Sequence, residues 1–139
     1  KRFTPKCSEK GIDLVIESHT ESITLLADEY SLSQIFENLI DNAVRNTNKG
    51  SIKIIVKPLF ERKVKISIKD TGIGMPDNSK NIIFEPFQQI ENDYTKSWEG
   101  NGLGLCLVNK FCAINNIQLD FRSKLGVGSE FITIFNHAF

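Results

Sequence analysis

Scarcity narrows the chemistry of this sequence first. Its three cysteines, Cys7, Cys106 and Cys112, form no CxxC pair and share no metal-ligand spacing with His19 or His137. That pattern argues against a zinc site or a disulfide framework and suits a reducing cytosol. No apolar run approaches the roughly 20 residues that span a bilayer. The start, Lys1-Arg2-Phe3-Thr4-Pro5-Lys6, lacks the apolar centre of a signal peptide. A cytoplasmic domain without membrane contact of its own is the expectation. Neither sign of charge is in excess, with 17 Lys plus Arg against 17 Asp plus Glu. There is no basic run and no interleaving of arginine with aromatics, so a nucleic-acid partner is not expected. A GxxxxGK followed by Ser or Thr is absent throughout, which removes a P-loop.

What is present describes one compact domain. The 139 residues are 40% hydrophobic and include ten Phe, enough to bury a real core but not two domains of ordinary size. Ile12 to Ser18 and Ile23 to Leu26 read as short strands. Leu32, Ile35, Phe36, Leu39, Ile40, Ala43 and Val44 then form a continuous apolar stripe of helical period. Ser31 with Gln34 offers a capping box at its start, and Asp28 an earlier cap. Beyond Gly50, Ile52/Ile54/Val56 and Val64/Ile66/Ile68 alternate with lysines around a turn expected near Pro58. They read as a hairpin with one wet face and one buried face, which favours an antiparallel or mixed sheet. Gly72 to Gly100 has no sustained period and reads as a long mobile loop, a functional lid by its length. Leu103 to Ile114 is apolar nearly all round, as a buried helix should be. Ile117/Leu119/Phe121 and Phe131/Thr133/Phe135 make a second hairpin around Gly126-Val127-Gly128. Cys106 and Cys112 read as small core residues. The sum is α+β, a two-layer sandwich with helices on one face of a mixed, mostly antiparallel sheet.

Three separated elements carry chemistry. Asn38 and Asn42 lie one turn apart on the border of the apolar stripe, so two amides face one cleft, while Gln34, Asp41 and Arg45 point farther outward. Magnesium takes oxygen ligands, keeps several waters, and needs only one or two protein groups beside substrate phosphates. Asp70 ends a strand and is followed by Thr71, Gly72, Ile73 and Gly74. A carboxylate there can accept a hydrogen bond from the exocyclic amine of adenine, which selects adenine over guanine. Gly100, Gly102 and Gly104 precede a helix, so free N–H groups and the positive helix end face anionic oxygen. A dinucleotide fingerprint fails here, because position 107 is Leu and no strand of a βαβ unit precedes it. The three elements complement the three parts of magnesium-ATP.

These residues resemble a family. Asn38 to Thr47 looks like the N box, Asp70-Thr71-Gly72-Ile73-Gly74 like the first glycine box, Phe84-Glu85-Pro86-Phe87 like the F box, and Gly100-Asn101-Gly102-Leu103-Gly104-Leu105 like the second glycine box of sensor histidine kinases. Gly126-Val127-Gly128-Ser129 is similar to the last glycine element. The order is right over nearly the whole chain, from about Gly11 to Phe135. The resemblance implies an ATP-binding catalytic domain of the Bergerat fold with a long ATP lid. It implies that Asn42 is the magnesium ligand with Asn38 beside it, that Asp70 holds adenine, and that Gly72, Gly74, Phe87, Gly100, Gly102, Leu103, Gly104 and Leu105 line the nucleotide.

The resemblance also separates reaction types. The hydrolysing relatives carry a glutamate base one turn before the metal asparagine, where this chain has Asn38, which accepts no proton at neutral pH. Glu37 is adjacent but reads as solvated on the outward face. Transfer of the γ-phosphoryl group to a histidine needs mainly positioning and charge neutralisation. Arg45 stands for the lysine of the N box in that role, with Lys96 in the lid as a second candidate. Asn46 stands where the family has an aromatic residue, and Asn101 where it has a small hydroxyl or glycine. The family's phosphorylated histidine lies in a separate helical dimerisation domain. His19 and His137 lack its context and read as surface residues. The chain therefore reads as a fragment, with Lys1 to Lys10 as a cut connection. Its expected partners are the histidine-bearing dimerisation domain of the same parent and, indirectly, a response regulator. A nucleotide-binding pseudokinase and a serine kinase of the anti-sigma-factor type are the alternatives.

Overall fold

The alternating segment Ile12–Ser18 forms the first strand, β1, in a computed structural model that describes residues 11–20, 27–47, 49–75 and 104–136. It runs parallel to β2, Gly50–Leu59, with Ile12 opposite Gly50 and Ser18 opposite Val56. Parallel neighbours need a crossover, and helix α1, Glu29–Asn46, lies between them in sequence. β2 pairs antiparallel with β3, Lys63–Asp70. Helix α2, Gly104–Ile114, leads to β4, Gln118–Lys124, and β5, Gly128–Asn136. β5 pairs antiparallel with both β3 and β4, giving the mixed five-stranded order β1-β2-β3-β5-β4. This is the expected α+β architecture. The strand expected at Ile23 to Leu26 and most of the long loop lie outside the described residues.

Both helices cover one sheet face. Ile35, Leu39, Ala43 and Val44 of α1 meet Ile52, Val64, Ile68, Phe131 and Phe135 of the sheet and Val108 and Cys112 of α2 in one core. Phe36 stacks on Phe135 with ring centres 5.8 Å apart, and Phe121 lies 4.7 Å from Phe131. Cys106 and Cys112 are free and buried, as core residues, and burial pushes the Cys112 thiol up to about 12. Along β3, Lys63, Lys65 and Lys69 interrupt the buried Val64, Ile66 and Ile68, but Ser67 is buried too, and β5 likewise buries Phe131, Ile132 and Thr133 in succession.

Three local expectations are corrected. The cap of α1 is Asp28, not Ser31: its Oδ2 accepts from Ser31 N at 2.9 Å and from Ser31 Oγ at 3.1 Å, so the helix begins one turn earlier. Asp28 N also donates to Asn115 Oδ1 at 3.1 Å, tying the start of α1 to the end of α2. The β2–β3 turn lies at Phe60 to Arg62, a three-residue loop between the paired Leu59 and Lys63, where Glu61 and Arg62 both hold positive φ, 62° and 61°. Pro58 sits inside β2 opposite Val64, beyond the last β1 pair at Val56. There the strand has a neighbour on one side only and tolerates a residue without N–H. Helix α2 is not buried all round, since Leu107 is 38% and Ile114 74% exposed. In a two-layer fold an outer helix has a sheet on one side and no third layer on the other.

Removing the α1 cap with Asp28→Ala is expected to lower the stability by about 1 kcal/mol. The urea midpoint should fall with the slope unchanged. An unaltered midpoint would show that another group caps the helix.

Candidate functional site

The last residue of β3 is the centre of the site. Asp70 is 3% exposed and lies opposite Ile52 on one side and Ser129 on the other. Its Oδ1 accepts from Gly72 N at 2.9 Å and Ser129 N at 3.3 Å. Burial raises its carboxyl to about 6, and these two N–H groups offset part of that rise. Both bonds engage one oxygen.

The segment after Asp70 is clamped from three directions. From β2, Ser51 N donates to Thr71 Oγ1 at 3.0 Å, and Thr71 N donates to Ser51 O at 3.1 Å. From the end of α1, Asn46 O accepts Ile73 N at 3.1 Å. From the β4–β5 hairpin, Gly126 N donates to Ile73 O at 2.7 Å, and Ser123 Oγ accepts Met75 N at 2.7 Å. The glycines serve this clamping. A Cβ on Gly72 would stand 2.2 Å from Asn46 O, and one on Gly74, whose φ is +68°, 2.0 Å from Lys124 O. The sequence assigns them to close approach of a ligand; in the structure their bare backbones already approach the protein itself.

Helix α1 supplies the second part. Asn38 is half-buried, and its Nδ2 donates to Gln34 O at 2.7 Å. Its Oδ1 lies 3.2 Å from where a Cβ of Gly104, the first residue of α2, would sit. Asn38 thus faces the start of α2. One turn on, Asn42 Nδ2 is buried with no hydrogen-bond partner among the described residues, as are Asn46 Oδ1 and Thr47 Oγ1. Eight residues of helix rise about 12 Å, so one helix side runs from the glycine start of α2 at Asn38 to the Asp70 loop at Asn46. Arg45 pairs with Asp41, Nε to Oδ2 at 3.0 Å, on the outward side. Glu37 is half-buried and not without a partner. Leu105 is 7% exposed within the core.

Phe87, Lys96, Gly100, Gly102 and Leu103 lie outside the described residues, as does the F box. Sequence reasoning missed Ser51 and Ser123, which brace the Asp70 loop from neighbouring strands. No local signal marks them, because their partners are distant in sequence. Ser129 was legible as part of a glycine element, but not as a donor to Asp70.

Among the described residues no group of three or more His, Cys, Asp or Glu is placed to hold a metal ion. Asn38 and Asn42 are half-buried one turn apart on α1 and bring amide oxygens to this side of the helix, Asn38 with its nitrogen already turned to Gln34 O. Such a set fits a hard cation that arrives with most of its own oxygen ligands, such as magnesium on a polyphosphate. Among the described residues no helix is long and apolar enough to cross a membrane.

Known proteins share this fold. The sequence family described as histidine kinase-, DNA gyrase B-, and HSP90-like ATPase matches residues 27–138. The autoinducer 2 sensor kinase/phosphatase LuxQ of Vibrio cholerae serotype O1 is 36% identical over 135 residues, covering 93% of this chain and 16% of that protein. The chain thus spans a small part of such relatives. Full-length ShkA in complex with AMPPNP superposes with a TM-score of 0.85 at 32% identity, over 99% of this chain and 28% of that one. The catalytic domain of histidine kinase ThkA gives 0.81 at 27% identity, over 97% of this chain and 85% of that one. ThkA in complex with response regulator protein TrrA gives 0.79 at 25% identity, over 99% and 37%.

Proposed function

The chain belongs to the histidine kinase-, DNA gyrase B-, and HSP90-like ATPase family, and on that premise we propose that it binds magnesium-ATP and passes the γ-phosphoryl group to a histidine on a separate dimerisation domain. The parent would be a two-component sensor that serves a response regulator. The observation that carries the reading is Asp70: a buried carboxylate, held by two N–H groups through one oxygen. The other oxygen can then accept the exocyclic amine of adenine. ShkA, similar over 99% of this chain, was solved with AMPPNP.

The residues divide the work along α1. At the base end, Asp70 and its clamped loop select and orient adenine. At the other end, the first N–H groups of α2 at Gly104 face phosphate oxygen. Asn42, with Asn38 beside it, would hold magnesium, which when bound neutralises charge on the phosphates. Arg45 would add a positive charge near the transferred group, exchanging its contact with Asp41 for one with phosphate. A nitrogen of the acceptor histidine attacks the γ-phosphorus, and the bond to the β–γ bridging oxygen breaks, releasing ADP. Asn38 offers no carboxylate to take a proton from water, which favours transfer over hydrolysis.

Calorimetric titration with AMPPNP, with and without magnesium, tests binding. Saturable binding that prefers adenine to guanine and weakens without the metal is expected. Joining the chain to a dimerisation domain with γ-labelled ATP tests transfer, and label on histidine is expected. Tight binding without label would favour a pseudokinase, label on a partner's serine the other kinase class. A folded chain that binds no nucleotide sinks the reading.

A further inference from the structure

The base-binding carboxylate is held by a hairpin that lies far from it in sequence, and one side chain of that hairpin has no motif to mark it. Ser123 sits on β4 directly opposite Ser129 of β5. Its Oγ accepts Met75 N at 2.7 Å, donates to Gly128 O at 3.1 Å, and lies 2.8 Å from Ser129 Oγ. A hydroxyl has one proton and two lone pairs. With its proton on Gly128 O, the lone pairs accept Met75 N–H and Ser129 O–H, so its whole capacity is used at once. Met75 is 1% exposed, so no solvent replaces the bond if Ser123 loses its hydroxyl.

The same hairpin grips the loop at two more points, Ser129 N on Asp70 Oδ1 and Gly126 N on Ile73 O. Residues 70, 73 and 75 are therefore registered against β4–β5, and Ser123 joins the two hairpin strands to the loop through one atom. We propose that Ser123 is a positioning residue for base recognition: it fixes the 70–75 segment against the hairpin so that Asp70 presents its free oxygen to adenine. It acts through Met75 and Ser129 and touches no nucleotide. The proposal rests on the reading of Asp70 as the adenine acceptor.

A side chain that serves the fold alone would change stability and leave base selectivity as it was. Ser123→Ala and Ser123→Thr in this 139-residue chain separate the two roles through the affinities for AMPPNP and its guanine counterpart. Leaving Met75 N–H unpaired in Ser123→Ala is expected to weaken AMPPNP binding about tenfold, with the guanine analogue little changed. The adenine preference thus shrinks by nearly the same factor. Ser123→Thr, which keeps the hydroxyl, is expected to restore the preference to within about threefold. If Ser123→Ala does not fold, Ser123→Cys, a weaker hydrogen-bonding group, is measured in its place with the same expected direction. A variant that is less stable but keeps the wild-type preference overturns the inference alone. A folded wild type that binds neither analogue overturns the reading of Asp70, and the inference with it.

Discussion

Asp70→Asn is expected to abolish adenine recognition and at the same time to stabilise the fold. Burial raises the Asp70 carboxyl to about 6 from 3.8. Between those values the native state holds a proton that the unfolded state has lost, so wild-type stability falls as pH rises from about 4 to about 6. The contribution is fully present below about pH 4 and gone above about pH 7. The shift corresponds to roughly 3 kcal/mol as an upper figure. Asparagine carries no charge at any of these pH values, so at pH 7.5 the variant should be more stable by about 1 to 3 kcal/mol, and near pH 4 nearly equal to wild type.

Function moves the other way. Asparagine Oδ1 is expected to take the place facing Gly72 N and Ser129 N, because those donors need an acceptor. Its Nδ2 then points at the base, donor against donor, and AMPPNP affinity should fall at least about a hundredfold. In wild type the ionised form is the better acceptor, so binding should weaken as pH drops below about 6, by up to roughly tenfold per unit. Asp70→Asn should lack that slope. Urea unfolding at pH 4 and 7.5, with titrations across the range, checks both halves. A variant less stable than wild type at pH 7.5 would mean that the buried carboxylate costs the fold nothing.

Gly74→Ala is expected to have a large effect on the fold. The methyl group would meet Lys124 O at 2.0 Å, a backbone atom that cannot swing aside, at a φ of +68° that alanine adopts at a cost. Together the two effects should destabilise by about 3 kcal/mol or more. Displacing Lys124 also separates the loop from the hairpin at Ile73 and Met75, so nucleotide affinity should fall even where the variant folds. Gly126→Ala is the control. Gly126 has a φ of +82° but nothing within 4 Å of an added Cβ, so only the backbone term of about 1 kcal/mol applies. Equal losses in the two variants would show that contact with Lys124 does not matter.

Periodicity and punctuation determined much of this protein. The apolar stripe from Leu32 to Val44 specifies α1, because 3.6-residue spacing leaves one face to bury. The alternation at 52–56 and 64–68 specifies a hairpin with lysines on its wet face, and Asp70-Thr71-Gly72-Ile73-Gly74 names residues of the candidate site, because the carboxylate and the bare glycines are legible one by one. What sequence could not express is everything that depends on distant partners. Asp28 and Ser31 both satisfy the rules for a helix cap, and contact with Asn115 at the other helix is one feature that distinguishes Asp28. Pro58 looks like a turn until the pairing of β1 with β2 is seen to end at Val56. Leu107 and Ile114 look like core until the sheet is seen to lie on one side of α2 alone. The raised carboxyl of Asp70, the clearance at Gly72 and Gly74, and the bracing by Ser123 were decided by tertiary structure. Burial, contact between backbones and shared hydrogen bonds are properties of residues brought together from 46, 70 to 75 and 123 to 129, and no local stretch of chain contains them.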